Sequence, residues 1–383
     1  MERAELEALV RATGVAEEHG GYVFLRDPYW SPAQCEAFDA LTQSVVCNPR
    51  SEITNGWLCI PTGGSSGGLK FARHDEATLT AAVRGFTGHF QLPLVNAIDV
   101  LPPWHVSGLM ARVRYAATGG RHVAWDWKRL ERGEFPAFDG DGWLISLVPT
   151  QLQRLLQQPA AVAWLQRLHL IFVGGGPVWP ELAAAMQAAG LPVVLSYGMT
   201  ETAAMVAAQR PGDFSRGDRS SGVALPHARI TIDPTGTVCV AGESVMRGYL
   251  GAADLAGEWV TADLGRLDAG GRLHISGRRD EVAITGGEKV NLTDIEEALR
   301  GLGEVAVVAL PDAEWGEIVV ACYLQTDRPL SDASVGATLS RQQRPKHWLA
   351  FASTEWPRNA QGKLNRAALR AAASARLNPS RKG

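Results

Sequence analysis

The chain has 383 residues and a net charge of −3, with Lys+Arg 37 against Asp+Glu 40. Hydrophobic residues make up 46% and charged residues 20%, which suits a globular protein, and at roughly 150 residues per domain two or three domains are expected. The balanced charge gives no electrostatic case for nucleic acid, and no apolar run approaches the roughly 20 residues of a membrane helix.

Five scattered cysteines without C-x-x-C argue against a disulfide framework or a thiolate zinc site and fit a reducing cytoplasm. The nine histidines lack metal-ligand spacing, and the start of the chain does not read as a signal peptide. The 12 Trp are expected at core and interface positions, which sequence alone does not separate from ligand stacking.

In chain order, Glu2 to Val10 places Leu6, Leu9 and Val10 on one face of a short amphipathic helix. Ser31 is a candidate cap for a second helix through Cys35, Phe38 and Leu41, within a first fifty residues read as helical and then turn-rich. From there to about residue 260, NAIDVLP, WLISLVP, LHLIFVGGG and PVVLSYG read as strands. The stretches between them, such as TQLQRLLQQPAAVAWLQRL and PELAAAMQAAG, read as helices, so the alternation predicts an α/β domain with a largely parallel sheet. After about residue 215, ARITID, VCVAG and GRLDAGGRLHISG are short and β-rich and predict a smaller β-structured unit. From about residue 280 a compact α+β segment follows. In it Thr293 and Glu296 match a capping box, and VAVVALP and EIVVACYLQ read as strands.

Several stretches carry chemistry. Pro61–Lys70 combines four glycines, three hydroxyls and a lysine after the strand-like WLCI. Backbone N–H groups turned inward, hydroxyl donors and a cation are what phosphate oxygens need. The loop is not a Walker A motif, and its composition alone also suits a flexible linker. Gly174-Gly175-Gly176 ends a strand, where open α/β sheets admit flat ligands; taken alone, the stretch fits a plain strand-to-helix turn better. In Ser196–Thr202, Tyr197 can stack on a base, Thr200 can donate to a phosphate and Glu201 can bind Mg²⁺. Taken by itself, the stretch fits better as a helix start capped by Thr200, with Glu201 favoured by the dipole. Asp263 can accept ribose hydroxyls and Arg278 can hold phosphate or ribose oxygens, although isolated charges usually sit on solvated turns.

Taken in this order, the pieces resemble the adenylate-forming superfamily of acyl- and aryl-CoA synthetases, over about residues 56 to 372. Thr62–Lys70 is similar to its phosphate loop, Tyr197–Thr202 to its Tyr-Gly-x-Thr-Glu segment, and Asp263 to its ribose-binding aspartate. Gly277–Glu296 is similar to its hinge and following loop, and Lys363 to the lysine of Pro-Arg-x-x-x-Gly-Lys. LPPWHVSGLMARVRY, ISLVPTQLQRLL and LHLIFVGGGP resemble the o-succinylbenzoate–CoA ligase subfamily. The chain departs from the pattern at Gly63, Leu69 and Leu292. Its loop also starts near residue 62, where relatives carry many more residues before it, so the amino-terminal subdomain reads as shortened.

The resemblance implies a large domain, 1–279, of parallel α/β sheet plus a β-rich subdomain, and a small mobile α+β domain, 280–383. It implies ATP and CoA as co-substrates, Mg²⁺ as cofactor and a small-molecule acid as substrate, with no nucleic acid; a homo-oligomer is allowed for. Lys363, Thr200 and Glu201 take the catalytic roles, Glu201 also as the metal ligand. Thr62, Ser65, Ser66, Gly67 and Lys70 hold the β- and γ-phosphates. Asp263 and Arg278 hold the ribose, with Gly175, Gly176 and Tyr197 around adenine. Asp280 is the hinge, and Gly286 and Gly287 line the pantetheine path. His105 and Arg114 are the candidates for the acid's second carboxylate, with Arg112 as competitor. The alternatives are another aryl- or fatty-acyl-CoA synthetase, or a nucleotide-binding relative without catalysis.

Overall fold

The computed structural model describes residues 1–30, 32–47, 55–63, 69–286, 288–325, 329–331, 339–358 and 364–377. The chain divides into two compact units, the second containing Ala262–Leu264 and the residues from Ser276 on.

The first unit opens with α1 (Arg3–Arg11), which buries Leu6 and Val10 as its spacing predicts. The hairpin β1 (Ala16–His19) and β2 (Tyr22–Leu25) follows, then α2 (Pro32–Cys47), β3 (Leu58–Gly63) and β4 (Leu69–His74). The sheet order is β1-β2-β3-β4, and β3 and β4 pair antiparallel up to Gly63 opposite Leu69. Period-two alternation gives this sheet two apolar faces. Val23, Leu25, Leu58 and Ile60 pack with Leu6, Val10 and Leu79. Tyr22, Phe24, Cys59 and Phe71 surround Phe38 of α2. The β1–β2 hairpin is a departure from the helical, turn-rich expectation, because AEEH has no apolar alternation to announce a strand. The predicted cap Ser31 lies outside the described residues.

Next come α3 (Glu76–Phe90), β5 (Asn96–Asp99), α4 (Val106–Thr118), β6 (His122–Ala124), α5 (Trp127–Glu131), β7 (Trp143–Leu147), α6 (Pro149–Leu155), α7 (Pro159–Leu165), β8 (Leu170–Val173), α8 (Pro180–Ala188), β9 (Val193–Met199) and β10 (Ala204–Ala208). The long helical stretch after β7 is two helices, because Pro159 cannot continue the first and starts the second. With the short β11 (Val223–Ala224) the sheet runs β11-β10-β9-β8-β7-β5-β6, parallel from β6 to β9. Its strands are apolar on both faces, as a covered parallel sheet requires. Leu144, Leu170 and Phe172 meet Phe86 and Phe90 of α3. Ile145, Ile171 and Val173 meet Leu152, Leu165 and Leu182 of α6 to α8. The predicted β-rich subdomain is the sheet β12-β13-β14-β15, formed by β12 (Ala228–Ile232), β13 (Thr237–Gly242), β14 (Glu258–Leu267) and β15 (Leu273–Arg278).

The second unit contains β16 (Val282–Thr285), β17 (Glu288–Asn291), α9 (Leu292–Leu299), β18 (Val305–Asp312), β19 (Gly316–Leu324), β20 (His347–Phe351) and α10 (Arg366–Leu377). Val307 and Ala309 face Ile295 and Leu299 of α9, whereas Val308 and Leu310 face Leu369 and Ala373 of α10. The expected capping box is not formed. Asn291 caps α9 by accepting the Thr293 N–H at 3.0 Å, and Glu296 is drawn away by Arg366 (2.6 Å) and the Val307 N–H (2.6 Å). A full charge outcompetes the weaker backbone donor that a capping glutamate would accept. No helix among the described residues is long and apolar enough to cross a membrane.

Candidate active site

The carboxyl ends of β8 and β9 lie side by side, the edge at which open α/β sheets bind ligands. Gly174–Gly176 leave the end of β8, with Gly175 in the left-handed region at φ +73°. Tyr197, on the adjacent β9, packs on the cluster of Val206, Ile230, Val238 and Leu273 beneath the smaller sheet.

Beyond β9 the chain makes a single 3₁₀ turn, Thr200–Thr202, and returns antiparallel as β10. This is not a helix start, so the helix-cap alternative for Thr200 is set aside. Two successive non-glycine residues, Ala203 (φ 50°) and Ala204 (φ 73°), adopt left-handed backbone to close the turn. Such strain persists where the surroundings over-determine it, often at functional sites. Gly198 is required here, since a Cβ would stand 1.8 Å from the Ala204 carbonyl oxygen.

The turn presents the buried Glu201 to β3. Thr62 Oγ1 donates to Glu201 Oε1 at 3.2 Å, and the Tyr249 phenol donates to the same oxygen at 2.6 Å. Burial and the Glu201 carboxylate push the Tyr249 pKa upward, so the phenol keeps its proton. Among the described residues no hydrogen-bond donor reaches Oε2. His74, the last residue of β4, donates from Nε2 to the Thr200 carbonyl at 2.8 Å, which leaves Nδ1 to accept from Thr78 Oγ1 at 3.1 Å. Burial holds this imidazole neutral, its pKa lowered to about 4. Lys70 Nζ lies 5.6 Å from the Tyr249 ring centroid, within cation–π range.

The neighbouring charges are tightly paired. Asp75 accepts from Arg247 Nε (2.7 Å) and Nη2 (3.1 Å), and from the backbone N–H groups of Thr78 (3.0 Å) and Gly56 (3.2 Å). Against the cost of burial, these bonds hold its carboxyl below the usual carboxylate range. Arg73 pairs with Asp254 and donates to the Arg247 carbonyl. The 247–250 segment is hydrogen-bonded to β4 through Arg247 N–H to Arg73 O and Leu250 N–H to Phe71 O.

Along α4 the arrangement differs. His105 is its N-cap residue. Arg112 Nε stands 3.2 Å from Asp99 Oδ2, whose side chain is buried. Arg114 is 5% exposed, stacks 4.1 Å above Phe86, and has no carboxylate or hydrogen-bond partner among the described residues. Burial lowers its pKa to about 10. It lines a cavity of about 20 Å³ with Ser146, Ala111 and Phe172, room for one water. Both ring nitrogens of His227 are also shielded and unpartnered, and burial together with Arg114 and Arg84 lowers its pKa to about 4.

In the second unit, Arg278 Nη1 donates to Asp263 Oδ1 at 2.9 Å, which brings the two expected ribose residues together. Gly286, at φ +58°, lies on the face of Trp315, which a Cβ would meet at 3.0 Å. Ser65, Ser66, Gly67, Gly287 and Lys363 lie outside the described residues, as does the side chain of Asp280. Arg358 and Leu364, on either side of the stretch that carries Lys363, form an antiparallel bridge. Sequence reasoning missed His74, Asp75, Arg247, Tyr249 and Trp315, because isolated residues carry no motif and their roles arise only from pairing across the fold.

The AMP-binding enzyme family matches residues 4–250. The chain belongs to that family. Among its relatives, the 2-succinylbenzoate–CoA ligase of Enterococcus faecalis is 32% identical over 79% of this chain and 67% of its own length. The indoleacetate–CoA ligase of Aromatoleum aromaticum is 31% identical over 86% of this chain and 68% of its own. Other 2-succinylbenzoate–CoA ligases are spanned to 59% and 62% of their length. The fold matches the Bacillus subtilis o-succinylbenzoate coenzyme A synthetase in complex with ATP and magnesium ion, at TM-score 0.67 and 24% identity, over 85% of this chain and 74% of that one. The AMP-binding fold therefore accounts for the parallel sheet, the smaller β-sheet and the α+β carboxyl-terminal part.

Proposed function

We propose that the protein is an ATP-dependent acid–CoA ligase acting on 2-succinylbenzoate in menaquinone or phylloquinone biosynthesis. The acid's carboxylate attacks the α-phosphorus of ATP, giving acyl-adenylate and pyrophosphate. The CoA thiolate then attacks the activated carbonyl, forming the thioester and releasing AMP. The observation that carries this reading is the contact of Thr62 with Glu201. It joins the glycine-rich strand to the acidic turn at the ligand-binding edge of the parallel sheet.

Glu201 fits a hard cation. Its Oε2 has no donor among the described residues, and Mg²⁺ is commonly held by one or two carboxylates plus substrate phosphates. No cluster of three or more His, Cys, Asp or Glu side chains is found among the described residues. When bound there, Mg²⁺ would neutralise charge on the triphosphate. Thr62, Ser65, Ser66, Gly67 and Lys70 would bind the β- and γ-phosphates and Thr200 would donate to phosphate. Gly175, Gly176 and Tyr197 would enclose adenine, and Asp263 with Arg278 the ribose. Lys363 would stabilise the charge that develops on the α-phosphate, an effect larger in the transition state than in the ground state. The carboxyl-terminal domain, from 280 on, would turn about Asp280 between the half-reactions, with Gly286 and Gly287 passing the pantetheine arm.

For the aromatic carboxylate the arginines now differ. Arg112 already faces Asp99, whereas Arg114 is a buried cation with no anion among the described residues, and such a group favours an incoming carboxylate. The adjoining cavity is too small for an aromatic ring, so the contact would run through its mouth or one bridging water. His105, at the head of the same helix, remains the second candidate. The test is CoA-dependent AMP release with 2-succinylbenzoate beside benzoate, indoleacetate and medium-chain fatty acids. Preference for 2-succinylbenzoate supports the reading, and preference for any monocarboxylate replaces the substrate.

A further inference from the structure

Glu201 sits on a short turn, and nothing in that turn fixes the rotation of its carboxylate. Two hydroxyl donors converge on Oε1, Tyr249 at 2.6 Å and Thr62 at 3.2 Å, while Oε2 has none among the described residues. The same short segment that bears Tyr249 also holds the Glu201 backbone, through Met246 N–H to the Glu201 carbonyl at 2.8 Å. Tyr249 is fixed in turn. Its segment bridges Ala72 of β4, and its ring meets Trp259 edge-on at 5.6 Å and 87°. The opposite service is done for Lys70, whose ammonium lies over that ring.

We infer that Tyr249 is the positioning residue of the metal–triphosphate half of the site: its phenol clamps Glu201 Oε1 so that Oε2 faces the cation, and its ring steadies Lys70. This rests on the proposed function. Thr62 is the longer donor and belongs to the phosphate-binding strand. When it turns to a phosphate oxygen, Tyr249 is the donor that keeps the carboxylate from rotating. A ligand to a metal held in this way by an outer hydrogen bond loses roughly 10–100-fold in metal affinity when that bond is removed.

The experiment measures Mn²⁺ binding to the full chain by electron paramagnetic resonance, in the presence of α,β-methylene ATP, together with binding of that nucleotide without metal. Tyr249→Phe keeps the ring and removes only the O–H. Its Mn²⁺ affinity should fall about 10–100-fold while metal-free nucleotide affinity stays at the wild-type value. Tyr249→Leu, which also removes the ring beneath Lys70, should weaken both. In a Glu201→Ala background, adding Tyr249→Phe should cost nothing further, because the phenol acts through that carboxylate. Unchanged Mn²⁺ affinity in Tyr249→Phe, or a further loss on top of Glu201→Ala, overturns the assignment of Tyr249. A wild-type chain that binds no Mn²⁺ with the nucleotide overturns the functional reading as well.

Discussion

Two buried regions of the first unit handle charge in opposite ways. Behind the acidic turn, Asp75 is met by a bidentate arginine and two backbone N–H groups, and His74 is neutral with both ring nitrogens engaged. Along α4 and its neighbour His227, Arg114 and the imidazole are shielded from water without a hydrogen-bond partner among the described residues. A buried charge without a partner costs several kcal/mol, so the fold bears at α4 an expense that it avoids at β4. The paired region is scaffold, built to hold Glu201 and Thr62 in place. The unpaired region is the one proposed to receive an anionic ligand.

Substitutions can break that contrast. The largest effect is expected at the cation proposed for the α-phosphate. Lys363→Ala should slow pyrophosphate release about a hundredfold or more while CoA transfer from supplied acyl-adenylate stays nearly intact. Equal losses in both half-reactions would remove the lysine from adenylation. In the scaffold, Asp75→Ala strands Arg247 and frees two backbone N–H groups. It should destabilise the first unit by about 2–3 kcal/mol, below the cost of breaking a fully buried pair because Arg247 is partly exposed, as read by urea unfolding. A variant as stable as the parent would mean that this pair is not structural.

Arg114→Met should have the reverse profile. Stability should hold or rise, since an unpaired buried cation is replaced by an apolar chain of similar length. KM for 2-succinylbenzoate should rise about tenfold or more, with little change for a monocarboxylate analogue. Lost stability with unchanged substrate preference would make Arg114 scaffold too. The smallest effect concerns pH. His74 and His227 titrate near 4 in the folded chain against an ordinary 6.5, so the unfolded chain binds more protons between those values. Their contribution is complete above about pH 6.5 and is lost as pH falls towards 4, at up to about 1.4 kcal/mol per pH unit for each group. His74→Gln should flatten the urea midpoint against pH in that window, and an unchanged slope would assign the acid sensitivity elsewhere.

The sequence made the parallel sheet legible because strands covered on both faces are written as continuous apolar runs. LIFV and WLISL could hardly be anything else next to amphipathic helices. The first hairpin escaped because its outer strand, AEEH, lacks that signature. The predicted capping box failed because a local pattern cannot foresee that Arg366, far along the chain, claims Glu296. For the site, motif spacing brought Thr62 and Glu201 into view although 139 positions separate them. The difference between Arg112 and Arg114 was invisible, since two arginines two positions apart on a helix differ only in what faces them. Tyr249, His74 and the Asp75–Arg247 pair were beyond reach for the same reason.

The central claim is that an acid is joined to AMP at the sheet edge where Thr62 meets Glu201. Exchange of labelled pyrophosphate into ATP tests it without CoA or a coupling enzyme. The account predicts exchange that requires both 2-succinylbenzoate and Mg²⁺. ATP binding with no exchange, whichever acid is supplied, would contradict it.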